Sequence, residues 1–158
     1  NYQGMQTNTD SIPLIFPAFE YKLTQKEGKL FIFDAITKKF RALTPEEWVR
    51  QHFVHFLIDQ KKYPETLIAI EKQLTINNLK KRTDILIFNS DGKPEVVIEC
   101  KAPSIKISQK TFDQIARYNL QLKADFLIVT NGLTHFYCKM DFKNKTYIFL
   151  KNLPDYKS

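Results

Sequence analysis

Two short apolar runs joined by a tight turn, DILIFNSDGKPEVVIECK at residues 84–101, form the centre of the predicted fold. The runs at residues 84–88 and 95–100 are rich in strand-forming side chains. Between them, Ser90-Asp91-Gly92-Lys93 is typical of a tight turn. The two runs should therefore pair antiparallel, as a β-hairpin.

A helix is predicted upstream of this hairpin. Thr44-Pro45-Glu46-Glu47 provides a cap, a proline at the first helical position and the spacing of a capping box, so a helix should run from Pro45 to about Lys61. The helical spacing directs an apolar face inward and leaves polar side chains to water. The inward residues are Trp48, Val49, Phe53, Phe56 and Leu57, and the outward ones are Arg50, Gln51 and Asp59.

The other elements follow from shorter patterns. A strand is expected at residues 67–71, a second helix from near Ser108 and a buried strand at residues 126–129. Two further hairpins are expected, one pairing residues 19–23 with 30–33 and one pairing 134–137 with 147–150. The order of helix, three strands, helix and strand predicts an α/β fold with a mixed central sheet and β-hairpins at both ends.

The composition fits one globular domain. Of 158 residues, 43% are apolar and 13% aromatic, which is enough to form the core of a single domain, expected at residues 12–156. Residues 1–11 are expected to form a flexible segment before it. A formal net charge of +7 favours an anionic partner, nucleic acid first. No apolar run approaches the roughly 20 residues that a bilayer requires, and the two cysteines suit a reducing cytoplasm.

Acidic and basic side chains meet at the ends of the central hairpin. Because side chains alternate along a strand, Glu99 and Lys101 should project to one side and Cys100 to the other, with Asp84 beside them. Two carboxylates and the backbone carbonyl of Cys100 are oxygen ligands of the kind that Mg²⁺ prefers. A neighbouring lysine suits phosphodiester hydrolysis, although a salt-bridged hairpin edge has the same residues.

At this point the sequence resembles the PD-(D/E)XK nucleases, and within them the N-terminal nuclease domain of type I restriction enzyme R subunits. The resemblance covers about residues 33–156 and rests on five motifs in order. They are LTPEEWVRQ at 43–51, KRTDI at 81–85, IECKAP at 98–103, QIARY at 114–118 and VTNG at 129–132. One departure is Thr83, where the family pattern has proline before the aspartate.

The resemblance implies a restriction-endonuclease-like αβββαβ core and a metal-dependent endonuclease. It implies Asp84 and Glu99 as metal ligands, for Mg²⁺ or alternatively Mn²⁺, and Lys101 as the catalytic lysine. It also implies a helical glutamate, Glu46 or Glu47. We favour Glu46, because the capping-box spacing gives Glu47 a structural role.

The resemblance further implies that Gln114 and Tyr118 match the family's QxxxY motif and support catalysis. Basic residues near the site along the chain are the predicted contacts to the phosphates of DNA, which we expect to be duplex; the alternative is that they form a solvated face. These residues are Lys80, Lys81, Arg82, Lys106, Lys110 and Arg117.

R subunits carry an ATP-driven motor, whereas this chain has neither a Walker motif nor room for one. We therefore expect either a fragment or a free-standing relative that depends on a motor or specificity partner. The alternatives left open are a non-catalytic DNA-binding or assembly module and an enzyme acting on RNA or branched DNA. His52, His55 and His135 are interpreted as structural or surface residues, and Glu71 as a secondary acidic candidate.

Overall fold

The computed structural model describes residue 14 and residues 16–157. The predicted flexible segment at residues 1–11 lies outside the described residues. Within them, two α-helices, a short 3₁₀ helix (Glu65–Leu67) and eleven strands follow one another along the chain. They are β1 (Leu23–Lys26), β2 (Lys29–Asp34), β3 (Lys39–Ala42), α1 (Pro45–Asp59), β4 (Ile68–Ile70), β5 (Gln73–Ile76), β6 (Leu79–Arg82), β7 (Ile85–Phe88), β8 (Pro94–Cys100), α2 (Gln109–Leu122), β9 (Phe126–Thr130), β10 (His135–Asp141) and β11 (Thr146–Leu150).

The centre of the fold is a six-stranded sheet in the order β11-β10-β9-β8-β7-β4. Strands β7 and β8 pair antiparallel, as predicted, whereas β8 and β9 pair in parallel through the crossover helix α2. The sheet is therefore mixed. The sequence α1-β4-β7-β8-α2-β9 is the predicted αβββαβ core, which the structure confirms.

Each face of this sheet is covered by one helix. Val49, Phe53 and Leu57 of α1 pack with the odd-numbered β7 residues Ile85 and Ile87. On the other face, Phe112 and Ala116 of α2 pack with Leu86 and Val97. Because β8 is covered on both faces, five consecutive residues from Val96 to Cys100 are buried. Any charged side chain at the end of this strand enters the protein interior.

The N-terminal hairpin begins later than predicted and includes a third strand; of residues 19–23, expected as its first strand, only Leu23 lies in β1. Thr24–Lys26, expected in the turn, belong to β1, because the turn contracts to Glu27 and Gly28. Both turn residues have positive φ, 53° and 76°, which suits a two-residue connection. The third strand, β3, places Arg41 at the edge of the proposed active site.

A small antiparallel sheet of β5 and β6 was also missed. Its turn is Asn77-Asn78, both with positive φ. Asparagine tolerates this conformation better than most residues. Within the described part of the chain, no helix combines the length and the apolar character needed to cross a membrane.

Candidate active site

The strand registers bring three carboxylates into one row across the sheet. In the β7–β8 ladder Ile85 faces Ile98, so the next pair in the same register is Asp84 and Glu99. On the other side, Ile70 faces Ile85 in the β4–β7 ladder, and Glu71 therefore stands opposite Asp84. The Glu71 N–H donates to the Asp84 carbonyl oxygen at 3.1 Å. Glu71 and Asp84 lie one residue beyond β4 and β7, so this is a row of backbone positions set by the registers.

Asp84 and Glu99 differ in environment although their carboxyls are neighbours. One carboxylate oxygen of Asp84 accepts a hydrogen bond from the Cys100 backbone N–H at 2.7 Å, which fixes the orientation of the group. Glu99 is only 8% exposed. Its burial, together with repulsion from and hydrogen bonding with Asp84, raises the pKa of Glu99, against the attraction of Lys81 and Lys101. The pair therefore holds a proton more readily than isolated carboxylates would.

This donor set fits a hard divalent cation. Among the described residues, no group of three or more His, Cys, Asp or Glu side chains is arranged to hold a metal ion. Two adjacent carboxylates are nevertheless what Mg²⁺ usually takes from a protein, with water and substrate phosphate as its remaining ligands. A cation would also relieve the repulsion that raises the pKa of Glu99. The backbone carbonyl of Cys100 stays a predicted third ligand.

A charged cavity of about 280 Å³ opens beside Asp84, and we refer to it as the charged cavity. It is lined by Arg41, Ala42, Thr44, Glu46, Glu47, Arg50, Glu71, Asp84 and Cys100. The third strand of the N-terminal sheet, the start of α1 and the row of carboxylates therefore meet at one place.

Two arginines neutralise the acidic side chains around this cavity. Arg50 donates to both carboxylate oxygens of Glu47 and lies 3.3 Å from Glu71. Arg41 contacts Asp34 at 2.6 Å and Glu71 at 3.1 Å. Burial opposes the positive charge of Arg50, but the hydrogen bond to Glu47 and the charges of Glu47, Glu71 and Asp84 outweigh it and raise its pKa. Glu71, the secondary candidate, is thus paired with arginines.

The prediction that Arg50 and Gln51 reach water is wrong. Their exposed fractions are 6% and 0%, because both side chains turn inward to the carboxylate of Glu47, Gln51 donating to it at 3.0 Å. Polar residues three and four positions apart on a helix can satisfy one another in this way. The spacing of Glu47, Arg50 and Gln51 was visible in the sequence and was the available signal for this buried network.

Both candidate helical glutamates line the charged cavity, but in different ways. Thr44 caps α1 as predicted, its side chain accepting from the Glu47 N–H at 3.0 Å. The structural role of Glu47 at the helix start is thus carried by its backbone, while its carboxylate lies buried against Arg50. Glu46 is exposed at the rim. The capping argument therefore does not distinguish the two carboxylates.

On the opposite face, Glu99 lies near α2. Glu99, Lys81 and Tyr118 line one narrow pocket between β6, β8 and α2. Cys100 instead belongs to the core on the α1 face, so the predicted alternation of Glu99 and Cys100 is confirmed. The Lys81 ammonium lies 4.7 Å from the centre of the Tyr118 ring, a cation–π contact.

Gln114 and Tyr118 share one side of α2, as the spacing predicted. They line an open groove of about 470 Å³ with Leu79, Arg117 and Gln121, which we call the α2 groove. Tyr118 also borders the pocket of Glu99, whereas Gln114 borders only the groove. The structure therefore brings Tyr118, but not Gln114, to the carboxylate pair.

The predicted DNA contacts differ in exposure. Five of them are exposed, namely Lys80, Arg82, Lys106, Lys110 and Arg117. Lys81 is half-buried. Lys80, Lys81 and Arg82 lie on β6 and Lys110 and Arg117 on α2, so the two elements that flank the α2 groove carry most of this charge.

The histidines and Cys138 lie outside the row of carboxylates, whereas Cys100 adjoins it through the bond from its N–H to Asp84. His52 is hydrogen-bonded to the Trp48 carbonyl at 2.8 Å, and its ring lies among aromatic side chains. His135 contacts Thr130 at 2.6 Å. Cys100 and Cys138 are buried free thiols whose pKa values are raised by burial, which disfavours a nucleophilic thiolate.

The element order α1-β4-β7-β8-α2-β9, with Asp84, Glu99 and Lys101 at or next to the ends of β7 and β8, is the order expected from the five sequence motifs. Residues 45–154 match the family described as type I restriction enzyme R protein N terminus (HSDR_N), and the chain belongs to this family. The resemblance inferred from the five sequence motifs is thus confirmed.

Comparisons with curated proteins and with solved structures do not extend this family assignment. No curated protein matches the chain. A solved structure from Anabaena variabilis ATCC 29413, described as a proposed nuclease belonging to DUF820, is similar at 16% identity with a TM-score of 0.45. The match covers 72% of this chain and 69% of that one.

Proposed function

We propose that the protein is a metal-dependent endonuclease domain that hydrolyses phosphodiester bonds in DNA. The proposed substrate is duplex DNA. The observation that carries the proposal is the proximity of the Asp84 and Glu99 carboxyls, one residue beyond the last pair of the β7–β8 ladder, in a member of the R protein N-terminus family. A salt-bridged hairpin edge does not account for this pair. Two carboxyls in contact destabilise each other's charged forms, and such an arrangement is tolerated where a cation binds.

In this proposal Asp84 and Glu99 hold a divalent cation, Mg²⁺ or alternatively Mn²⁺, with the carbonyl of Cys100. The bound ion would supply charge stabilisation at the phosphate and activate water. The hydrogen bond from the Cys100 N–H keeps the Asp84 carboxylate in a fixed orientation. Lys101 follows β8 directly and, as an ammonium close to Glu99, would neutralise charge developing on the phosphate or orient the attacking water.

The surrounding residues would support this chemistry. A glutamate at the start of α1, Glu46 or Glu47, faces the same charged cavity as Asp84. Glu46 is the freer ligand, whereas Glu47 positions Arg50. The amide of Gln114 and the phenol of Tyr118 would hydrogen-bond to the DNA at the α2 groove.

The exposed basic residues would hold the phosphate backbone without reading base sequence, so specificity or motor action would come from a partner. They are Lys80, Arg82, Lys106, Lys110 and Arg117. Lys81, the sixth predicted contact, is half-buried with its ammonium against the Tyr118 ring, so we do not count it among the exposed phosphate contacts.

The test is incubation of the purified chain with supercoiled plasmid and Mg²⁺ or Mn²⁺. Asp84→Asn should reduce nicking by at least about a hundredfold, since it removes the charge of a proposed ligand, and Lys101→Ala should reduce it strongly as well. The matched control is Asp91→Asn, the same chemical change in the exposed turn at the far end of the same two strands. Asp91→Asn should nick at the parental rate.

Equal nicking by the parent and Asp84→Asn would show that this site does not perform the reaction. No nicking by any variant, with DNA binding retained, would favour the non-catalytic binding module. Competition between duplex DNA, branched DNA and RNA would establish the substrate class.

A further inference from the structure

The β5–β6 hairpin is an in-register extension of the edge of the central sheet. Ile70 faces Ile85 in the β4–β7 ladder, and Gln73 faces Arg82 in the β5–β6 ladder. Two residues separate the ladders on each strand, so the pairing continues across the junction without a slip. The hairpin therefore projects from the carboxylate row and is not an independent loop.

The junction itself is tied by backbone hydrogen bonds. The N–H and the hydroxyl of Thr83 both donate to the Lys72 carbonyl oxygen, at 3.0 and 3.1 Å. A proline, which the family pattern has here, would lack this N–H. Glu71, directly before Lys72, has a φ of +52°, so the extended backbone of β4 is interrupted at the base of the hairpin. Asp84 follows Thr83, so the base of the hairpin is fixed to a proposed metal ligand.

The hairpin has two different faces. Lys81 and its cross-strand partner Leu74 are half-buried and line the pocket of Glu99 and Tyr118. Lys80 and Arg82 lie on the other face because side chains alternate, and both are exposed. Their cross-strand partners, Thr75 and Gln73, are exposed and uncharged. The outer face is thus cationic, and the inner face is docked on α2.

We propose that the β5–β6 hairpin is an arm that holds duplex DNA beside the cut, with Lys80 and Arg82 as its phosphate contacts and Lys81 as the docking residue. The inference rests on the proposed nuclease function and adds which surface positions its substrate. Two cations on one strand face match the regular negative charge of a DNA backbone. The ammonium of Lys81 is instead directed to Tyr118 and Glu99.

The length of the arm sets where it touches DNA. From Asp84 to the turn residue Asn78, six residues of extended chain at about 3.3 Å each span at most about 20 Å. With phosphates spaced about 3.4 Å along each strand of duplex, the tip reaches about six base pairs from the scissile phosphate. A substrate would therefore need duplex on at least one side of the cut.

The experiment measures binding of a fluorescein-labelled duplex of about 30 base pairs by anisotropy, in EDTA so that no cleavage occurs, over a range of NaCl concentrations. The arm variant is Lys80→Gln/Arg82→Gln. The matched control, Lys143→Gln/Lys145→Gln, changes the charge equally. Its residues lie in the exposed β10–β11 turn, which the registers place at the end of the sheet opposite the carboxylates. Thermal melting verifies that each variant is folded.

We expect the arm variant to bind at least about fivefold more weakly near 0.1 M salt. The slope of log Kd against log salt should fall by about two, since each lost phosphate contact contributes about 0.9. Lys81→Gln, folded and assayed likewise, should leave this slope unchanged. The control should remain within about twofold of the parent. Equal weakening in both double variants, no weakening in the arm variant or no duplex binding by the parent would each overturn the proposal.

Nicking assays on the same preparations separate this inference from the proposed function. A parent that nicks plasmid while the arm variant binds normally would refute the arm and retain the nuclease. An arm variant that loses binding while the parent never cleaves would retain the arm and refute the nuclease.

Discussion

Removing the guanidinium of Arg50 should destabilise the protein by about 3–5 kcal/mol, the usual effect of leaving one member of a buried ion pair without its partner. The side chains of Arg50 and Glu47 are only 7% and 6% exposed. Arg50→Met keeps most of the volume but removes the arginine donor, so that the Glu47 carboxylate keeps the hydrogen bond from Gln51 and loses its ion pair. Glu47 must then either stay charged in the interior or take up a proton.

The measurement is urea unfolding near neutral pH, followed by the fluorescence of Trp48, the single tryptophan, which is buried beside Glu47. The double variant Glu47→Gln/Arg50→Met should lose less free energy of unfolding than the sum of the single variants, with a coupling of roughly 1–3 kcal/mol. The exposed pair of Lys38 and Glu65, 3.5 Å apart, is the control. Lys38→Met should cost less than about 1 kcal/mol.

The reasoning fails if Arg50→Met lowers the free energy of unfolding by no more than Lys38→Met does. It fails equally if the two changes in the double variant are additive, because the buried charges would then be independent. Either result would mean that water reaches Glu47 in solution and that the network around the charged cavity is open.

Three further predictions concern pH, Tyr118 and the helix cap. Burial lowers the pKa of His52 from 6.5 to about 4, so the unfolded chain takes up a proton first as the pH falls. Lowering the pH from about 7.5 to about 5 should thus lower the free energy of unfolding by about 2 kcal/mol through His52. In urea unfolding at the two pH values, His52→Gln should lack this contribution to the pH dependence of stability. Tyr118→Phe keeps the ring beside Lys81 but removes the phenol proposed to hydrogen-bond to the DNA, so it should weaken duplex affinity about two- to fivefold in the anisotropy assay; Tyr118→Ala also removes the cation–π contact and should weaken it further, and an unchanged affinity of Tyr118→Phe would remove the phenol from the DNA contacts. Thr44→Ala removes the cap of α1 and should cost about 1 kcal/mol in thermal or urea unfolding, and an unchanged stability would show that solvent replaces the cap.

The central sheet was predictable because its strands are apolar enough to leave a clear pattern. Ile85, Leu86 and Ile87 are all fully buried, and a run of this kind bounded by a turn admits few interpretations. The juxtaposition of Asp84 and Glu99 did not follow from the turn alone, because the ladder shifts register between Ile87 and Phe88; without that irregularity, Phe88 opposite Pro94 would set Asp84 opposite Ile98.

The missed elements are those whose stability does not depend on an apolar face. Strand β6 reads LKKR and β3 reads KFRA, and neither resembles a half-buried strand. The Asn77-Asn78 turn lacks the glycine that usually marks a hairpin. Arg50 was predicted to be exposed because the helical pattern only separates apolar from polar residues. The pattern does not show that the carboxylate of Glu47 is buried on the same side of the helix.

The β5–β6 hairpin continues the pairing of β4 and β7 in register, so its length can change independently of the central sheet. The strands β4 and β7 pair without it, so an insertion in residues 73–82 leaves every ladder of the six-stranded sheet intact. Adding two residues to each strand preserves which side chains face outward and moves the tip by about 7 Å, close to two base pairs of duplex. A change in the length of the β5–β6 hairpin would then change the length of duplex that the protein contacts, while the residues proposed to hydrolyse the phosphodiester bond stay the same.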